Sequence, residues 1–286
     1  MHFETCGILC LVLYLIALPF PAASYNDYET EISTTLSRRV PEQEIVWLNA
    51  AGREFISLYL GNASGKVRGA AVIAHGMGAH PDWPEVIAPL RNHLPDSGWA
   101  TLSLQMPILP PGAPLSDYGR TIKDSSQRFE AAVSYLRKQG FINIVFIGYG
   151  FGAALIADFL AHNPGYRISA FVAISAQSHD FLNPRLKLLN DLESIDIPVL
   201  DVYAGSDRGK VIRQADDRRL AGRKNSRHTY DQIMIVDADR FYTGVEKVMI
   251  NGICGWLEKT VPPVPAYTDN NNEGNIKPEN GEKSDE

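Results

Sequence analysis

Residues Gly148-Tyr149-Gly150-Phe151-Gly152 lie between a short apolar run, Asn143 to Ile147, and a run with helical spacing of apolar residues, Ala153 to Leu160. A strand-to-helix turn this cramped exposes its middle residue. A serine there, activated by a histidine that an acid orients, attacks acyl carbonyls. The middle residue here is Gly150, so the turn has the frame for nucleophilic chemistry and no nucleophile. Gly-x-Gly-x-Gly between strand and helix also suits a plain βα turn or a phosphate-binding loop, and the pentapeptide alone leaves those readings open.

The elements that must position this turn follow from the hydrophobic pattern. Runs Glu44 to Asn49 and Glu54 to Leu60 flank Ala50-Ala51-Gly52-Arg53 and predict an antiparallel hairpin. Strands over Ala70 to Ala74, Ala100 to Leu104, Asn143 to Ile147, Ala170 to Ile174, Pro198 to Tyr203 and Gln232 to Val236 then alternate with helices near Glu85 to Leu94, Tyr118 to Gln139, Ala153 to Leu160, Lys210 to Ala221 and Thr243 to Lys259. This order predicts an α/β fold: a mostly parallel central sheet, helices on both faces, and an antiparallel N-terminal hairpin. Loops at the carboxyl ends of the strands should hold the site. Residues 177 to 195 interrupt the alternation with a short helix-like insert, either a small lid or a cover for the sheet edge.

Length and composition set the bounds. The 286 residues, 45% of them hydrophobic, suffice for one large domain. Gly7 to Phe20 is an apolar stretch too short to span a bilayer comfortably, and Pro21-Ala22-Ala23-Ser24 suits signal-peptidase cleavage. The expected organisation is a signal peptide over 1–24, a loosely docked arm with about one helical turn over 25–43, the α/β domain over 44–260 and a disordered acidic tail over 261–286. Export, most simply to the periplasm, follows from the leader; its lack of Lys or Arg leaves an uncleaved anchor as the alternative. Of the three cysteines, Cys6 and Cys10 leave with the leader, so Cys254 alone excludes an internal disulfide or a cysteine metal cluster. The net charge is −6, of which the tail, with six acids and two lysines, contributes −4. No overall basic charge points to nucleic acid.

The order of elements resembles the alpha/beta-hydrolase fold, over about residues 44 to 259. His75-Gly76 follows the third strand, the elbow follows the fifth, and Ala204-Gly205-Ser206-Asp207 follows the seventh. The resemblance implies a triad in the order serine, acid, histidine. The three positions read Gly150, Asp207 and Arg240. An arginine cannot serve as the base, because its guanidinium stays protonated. Two arrangements stay open for Arg240. A bidentate clasp on Asp207 is the expected one; a free Arg240 would instead help to form an anion pocket. The resemblance also implies an oxyanion pocket from the amides of Phe151 and Met77, beside the amino terminus of the elbow helix. His228 and His162 read as surface residues. Ser175, His179 and His75 are the candidates for displaced catalytic machinery.

With Gly98-Trp99-Ala100-Thr101-Leu102-Ser103-Leu104-Gln105-Met106-Pro107, the string His75-Gly76-Met77-Gly78-Ala79-His80-Pro81-Asp82-Trp83-Pro84 also resembles a bacterial family of exported alpha/beta-hydrolase-like proteins, domain of unknown function 3530. That resemblance implies Gly-x-Gly-x-Gly at the elbow and, commonly, Ala-Asp-His at the last loop, where this chain reads Ala238-Asp239-Arg240. The expectation is a pseudoenzyme that binds a small ligand or peptide carbonyl through His75, Gly76, Met77, Phe151 and Arg240. An esterase or acyl-transfer enzyme with displaced residues is the alternative. No cofactor is expected, and no metal: His75, His80 and Asp82 lack an established ligand spacing. The cations between Arg208 and Arg227 read as a solvated helix face, with an anionic membrane surface as the alternative partner.

Overall fold

A computed structural model describes residues 25–224 and 229–263. The expected leader, most of the expected tail, Arg227 and His228 lie outside the described residues.

The chain begins with helix α1 (Tyr25–Arg39) and the hairpin β1 (Ile45–Ala50) and β2 (Arg53–Leu60). Then come β3 (Gly69–Ala74), α2 (Ile87–His93), β4 (Trp99–Leu104), α3 (Ile122–Lys138), β5 (Ile144–Tyr149) and α4 (Phe151–His162). The second half runs β6 (Ala170–Ile174), α5 (Leu188–Ser194), β7 (Val199–Ser206), α6 (Gly209–Arg213), α7 (Ala215–Arg223), β8 (Tyr230–Asp239) and α8 (Glu246–Thr260). The strands form one sheet in the order β1-β2-β4-β3-β5-β6-β7-β8. β2 pairs antiparallel with β1 and β4, and every other pair is parallel. The predicted architecture is therefore the observed one.

Burial on both faces explains why the central strands read as unbroken apolar runs. Alternate residues of β3 and β5 point to opposite sides. Val72 and Phe146 pack with Phe129 of α3 and Phe159 of α4, whereas Ile73 and Ile147 pack with Leu90 of α2 and Ile253 of α8.

Three local expectations need correction. The arm is not a loose segment with about one turn: α1 has 15 residues, and its Leu36 together with Val40 just past its end docks on Ile56 and Leu58. A buried ion pair of 2.6 Å, Glu29 to Arg128, adds a second anchor. The helix expected from about Glu85 begins at Ile87, because the loop turns through Val86 at φ 64°. The basic run is not one solvated face. Arg218 is fully buried against Asp201 at 2.8 Å, while Lys210, Arg219 and Lys224 pair with Asp180, Asp216 and Glu193.

Candidate functional site

The elbow forms where the sequence places it, at the carboxyl end of β5. Gly150 has φ 56° and ψ −110°, a conformation L-residues rarely adopt, and its amide donates to the Ile174 carbonyl at 2.8 Å. The flanking glycines are sterically required. A Cβ at Gly148 would lie 2.6 Å from the Ala153 Cα, and one at Gly152 would strike the Ala74 carbonyl. At Gly150 a Cβ meets nothing within 4 Å. The turn thus keeps its tight packing at both shoulders and leaves open space at its tip.

Around that tip is a cleft of about 530 Å³, within the size range of small-molecule sites. Gly76, Met77, Phe151, Asp207 and Arg240 all line it with Gly150. Phe151 is the first residue of α4, so its amide has no acceptor in a preceding turn. Neither that amide nor the Met77 amide finds a hydrogen-bond acceptor among the described residues.

His75 does not face this cleft, which corrects its expected binding role. The ring is fully enclosed; Nδ1 donates to the Gly76 carbonyl at 2.8 Å and Nε2 accepts from the Met106 amide at 2.9 Å. Both nitrogens are committed to backbone, so the ring ties the loop after β3 to the end of β4. Burial pushes it down to about 3. His80 and Asp82 do not join it. Asp82 pairs with Arg91 at 2.7 Å, and His80 Nδ1 accepts the Asp82 amide at 3.2 Å.

The Asp207–Arg240 clasp does not form either. Asp207, buried just beyond β7, is already satisfied: Oδ2 accepts from the Ser175 hydroxyl at 2.6 Å and Oδ1 from the Arg208 amide at 2.7 Å. Arg240 makes no ion pair among the described residues; its guanidinium stacks 4.2 Å from the ring centroid of Phe241. Its carbonyl accepts the Tyr149 hydroxyl at 2.9 Å. Asp239 shapes this loop by accepting the Phe241 and Thr243 amides at 2.9 and 3.1 Å, bonds that hold its carboxyl below the usual carboxylate range.

Ser175 follows β6 with φ 51°, and its Oγ lies 3.2 Å from the hydroxyl of fully buried Tyr242, itself at φ 60°. Burial is the main reason that the Tyr242 phenol is raised well above its ordinary range. Tyr149, whose ring flanks the cleft, is pushed up to about 12 by burial and then by Asp207. Both phenols are therefore neutral donors.

His179, from the segment after β6, is the residue that sequence reasoning underweighted. It is buried, lines the cleft, and packs edge-on against Phe151 and Phe181 at centroid distances of 5.2 and 5.7 Å. Nδ1 has no hydrogen-bond partner among the described residues. Burial, with Lys210 and Arg208 adding to it, pushes the ring down to about 4, so it is neutral near pH 7. Its position after a strand end was the available signal. Trp83, Tyr118 and Arg208 complete the walls and were not singled out as site residues because each comes from a loop or a short helical turn of no distinctive pattern.

The sequence profile described as protein of unknown function (DUF3530) matches residues 17–121 and 119–259. No curated protein matches the chain. Among solved structures, it is similar to the esterase domain of a Rhodothermus marinus protein, with 14% identity, TM-score 0.58, and coverage of 76% of this chain and 98% of that one. A dienelactone hydrolase from Anabaena variabilis gives 16% identity, TM-score 0.59, and coverage of 76% and 97%. An esterase from Pyrococcus furiosus gives 13% identity, TM-score 0.61, and coverage of 76% and 90%. The strand order, the elbow and these likenesses agree: the chain belongs to the DUF3530 family and has the alpha/beta-hydrolase fold.

Proposed function

We propose that this chain is a non-catalytic binding protein that uses the cleft above the elbow for a small ligand bearing a carboxylate or a polarised carbonyl. The supporting observation is Gly150: the elbow keeps a nucleophile's backbone conformation and open space at the tip, with no side chain to react. The Phe151 and Met77 amides and the positive end of α4 supply donors for a ligand oxygen. Arg208 and Arg240 add positive charge, and the aromatic walls supply apolar area. His179 offers a neutral acceptor to a ligand hydroxyl or amide. Residues 1–24 support export to the periplasm as part of this reading. Exposed cations of the basic run, such as Arg213 and Arg223, keep an anionic membrane surface as a secondary partner.

Introducing the missing groups tests this reading. The double change Gly150→Ser with Arg240→His should create a slow esterase with a burst of product from short acyl esters. The serine carries backbone strain of about 1–3 kcal/mol, which the frame must tolerate. A folded double variant with no burst would count against the roles assigned to these positions.

A second reading, a hydrolase with displaced residues, draws on one contact: the Ser175 hydroxyl is bonded to the Asp207 carboxylate at the cleft wall. The histidines do not favour it. His75 has no free nitrogen, and His179 makes no bond to Ser175. Covalent labelling of the wild type that disappears in Ser175→Ala would support this second reading.

A further inference from the structure

At the far end of α4 from the elbow, Asp158 and His162 stand one helical turn apart, and Asp191 of α5 faces them. Each offers a donor atom, and these atoms all lie within 4.8 Å of one another. Asp191 is 4% exposed, and its buried Oδ2 has no hydrogen-bond partner among the described residues. A carboxyl oxygen buried without a hydrogen-bond partner is costly, and none of the described residues supplies one. His162 is exposed, with Nδ1 at 2.8 Å from the Asp158 carbonyl. A backbone contact of this kind orients the ring and leaves the other nitrogen its lone pair.

We propose that Asp158, His162 and Asp191 bind one first-row divalent cation, of which Zn²⁺ is the best match, and that the cation pins α5 to α4. One imidazole nitrogen with two carboxylate oxygens suits Zn²⁺ better than Ca²⁺ or Mg²⁺, which prefer oxygen alone. In a tetrahedron, bonds of about 2.0–2.2 Å place two donors about 3.3–3.6 Å apart, so a pair at the 4.8 Å limit has to close by about an ångström or slightly more, a movement open to the exposed His162 ring. Water completes the tetrahedron on the exposed side. The two carboxylates face each other across the cluster, and a cation between them offsets their mutual repulsion. The consequence reaches the cleft, because α5 ends the segment that carries His179 and Phe181 over Phe151.

The test is calorimetric titration of the chelator-treated mature chain with Zn²⁺, alongside thermal melts and hydrogen exchange with and without Zn²⁺. The wild type should bind one ion, melt higher in Zn²⁺ and exchange more slowly over residues 176–195. His162→Ala, at an exposed position, and Asp191→Asn, which keeps the shape and removes the charge, should both fold by circular dichroism. Each should weaken binding at least tenfold and abolish the melting increment. The proposal is overturned if the wild type does not bind Zn²⁺, or if binding survives both variants unchanged, which would place the ion on other residues. Stronger binding of Ca²⁺ than of Zn²⁺ that ignores His162→Ala would equally overturn it.

Discussion

The hydroxyl of Ser175 donates to Oδ2 of Asp207 across 2.6 Å, joining the end of β6 to the end of β7. This contact takes up the carboxylate that a triad would direct at an imidazole, and it explains why Arg240 stands apart. It predicts that Ser175→Ala costs about 1–3 kcal/mol, because a buried carboxylate oxygen loses its strongest donor. Urea denaturation measures this. In the Gly150→Ser, Arg240→His background the same change should raise the ester burst, since it frees Oδ2 for the new imidazole.

Arg240 rests on Phe241 and pairs with no acid among the described residues, so Arg240→Ala should change stability by no more than about 0.5 kcal/mol. Loss of a partner from a buried clasp would cost about 3–5 kcal/mol. Chemical denaturation of this single variant separates the two arrangements.

Arg218 and Asp201 form the most deeply buried ion pair, both fully enclosed, and Asp201 Oδ2 also accepts from the Tyr230 hydroxyl at 3.0 Å and Gln232 Nε2 at 2.9 Å. Arg218→Met leaves that carboxylate short of its cation. A loss of about 3–5 kcal/mol is expected, seen as a lower denaturation midpoint.

His75 at about 3 and His179 at about 4 stay neutral where an unfolded histidine, at about 6.5, takes up a proton. The folded values are depressed, so their contribution to stability is full above about pH 6.5 and is lost as pH falls toward 3. Asp191, raised to about 7, acts in the opposite direction over part of this window. In an Asp191→Asn background, therefore, stability should fall from pH 7 to pH 5. Adding His75→Gln, which keeps a donor and an acceptor, should flatten that slope; an unchanged slope would contradict the buried neutral ring.

Repeated strand-helix alternation made the sheet legible, because strands buried on both faces must be apolar throughout and their helices amphipathic. The elbow was legible for a steric reason, since only glycine fits at positions 148 and 152. Helix α1 was harder to read: its dominant composition is polar, and its docking stripe of Ile32 and Leu36, continued by Val40 just past its end, is a single residue wide. The partners of Asp207 were not legible. Ser175 is 32 residues from Asp207 and 67 from Tyr242, and no local pattern announces a contact made by strand order. His75 misled because a histidine after a strand end resembles a site residue until both nitrogens are seen on backbone.

The central claim, that the cleft binds without reacting, is tested most directly by exposing the wild-type protein to a fluorophosphonate probe and weighing it intact. The account predicts an unmodified mass, with no hydrolysis of short nitrophenyl esters above the buffer rate. A stoichiometric adduct that Ser175→Ala abolishes would contradict it.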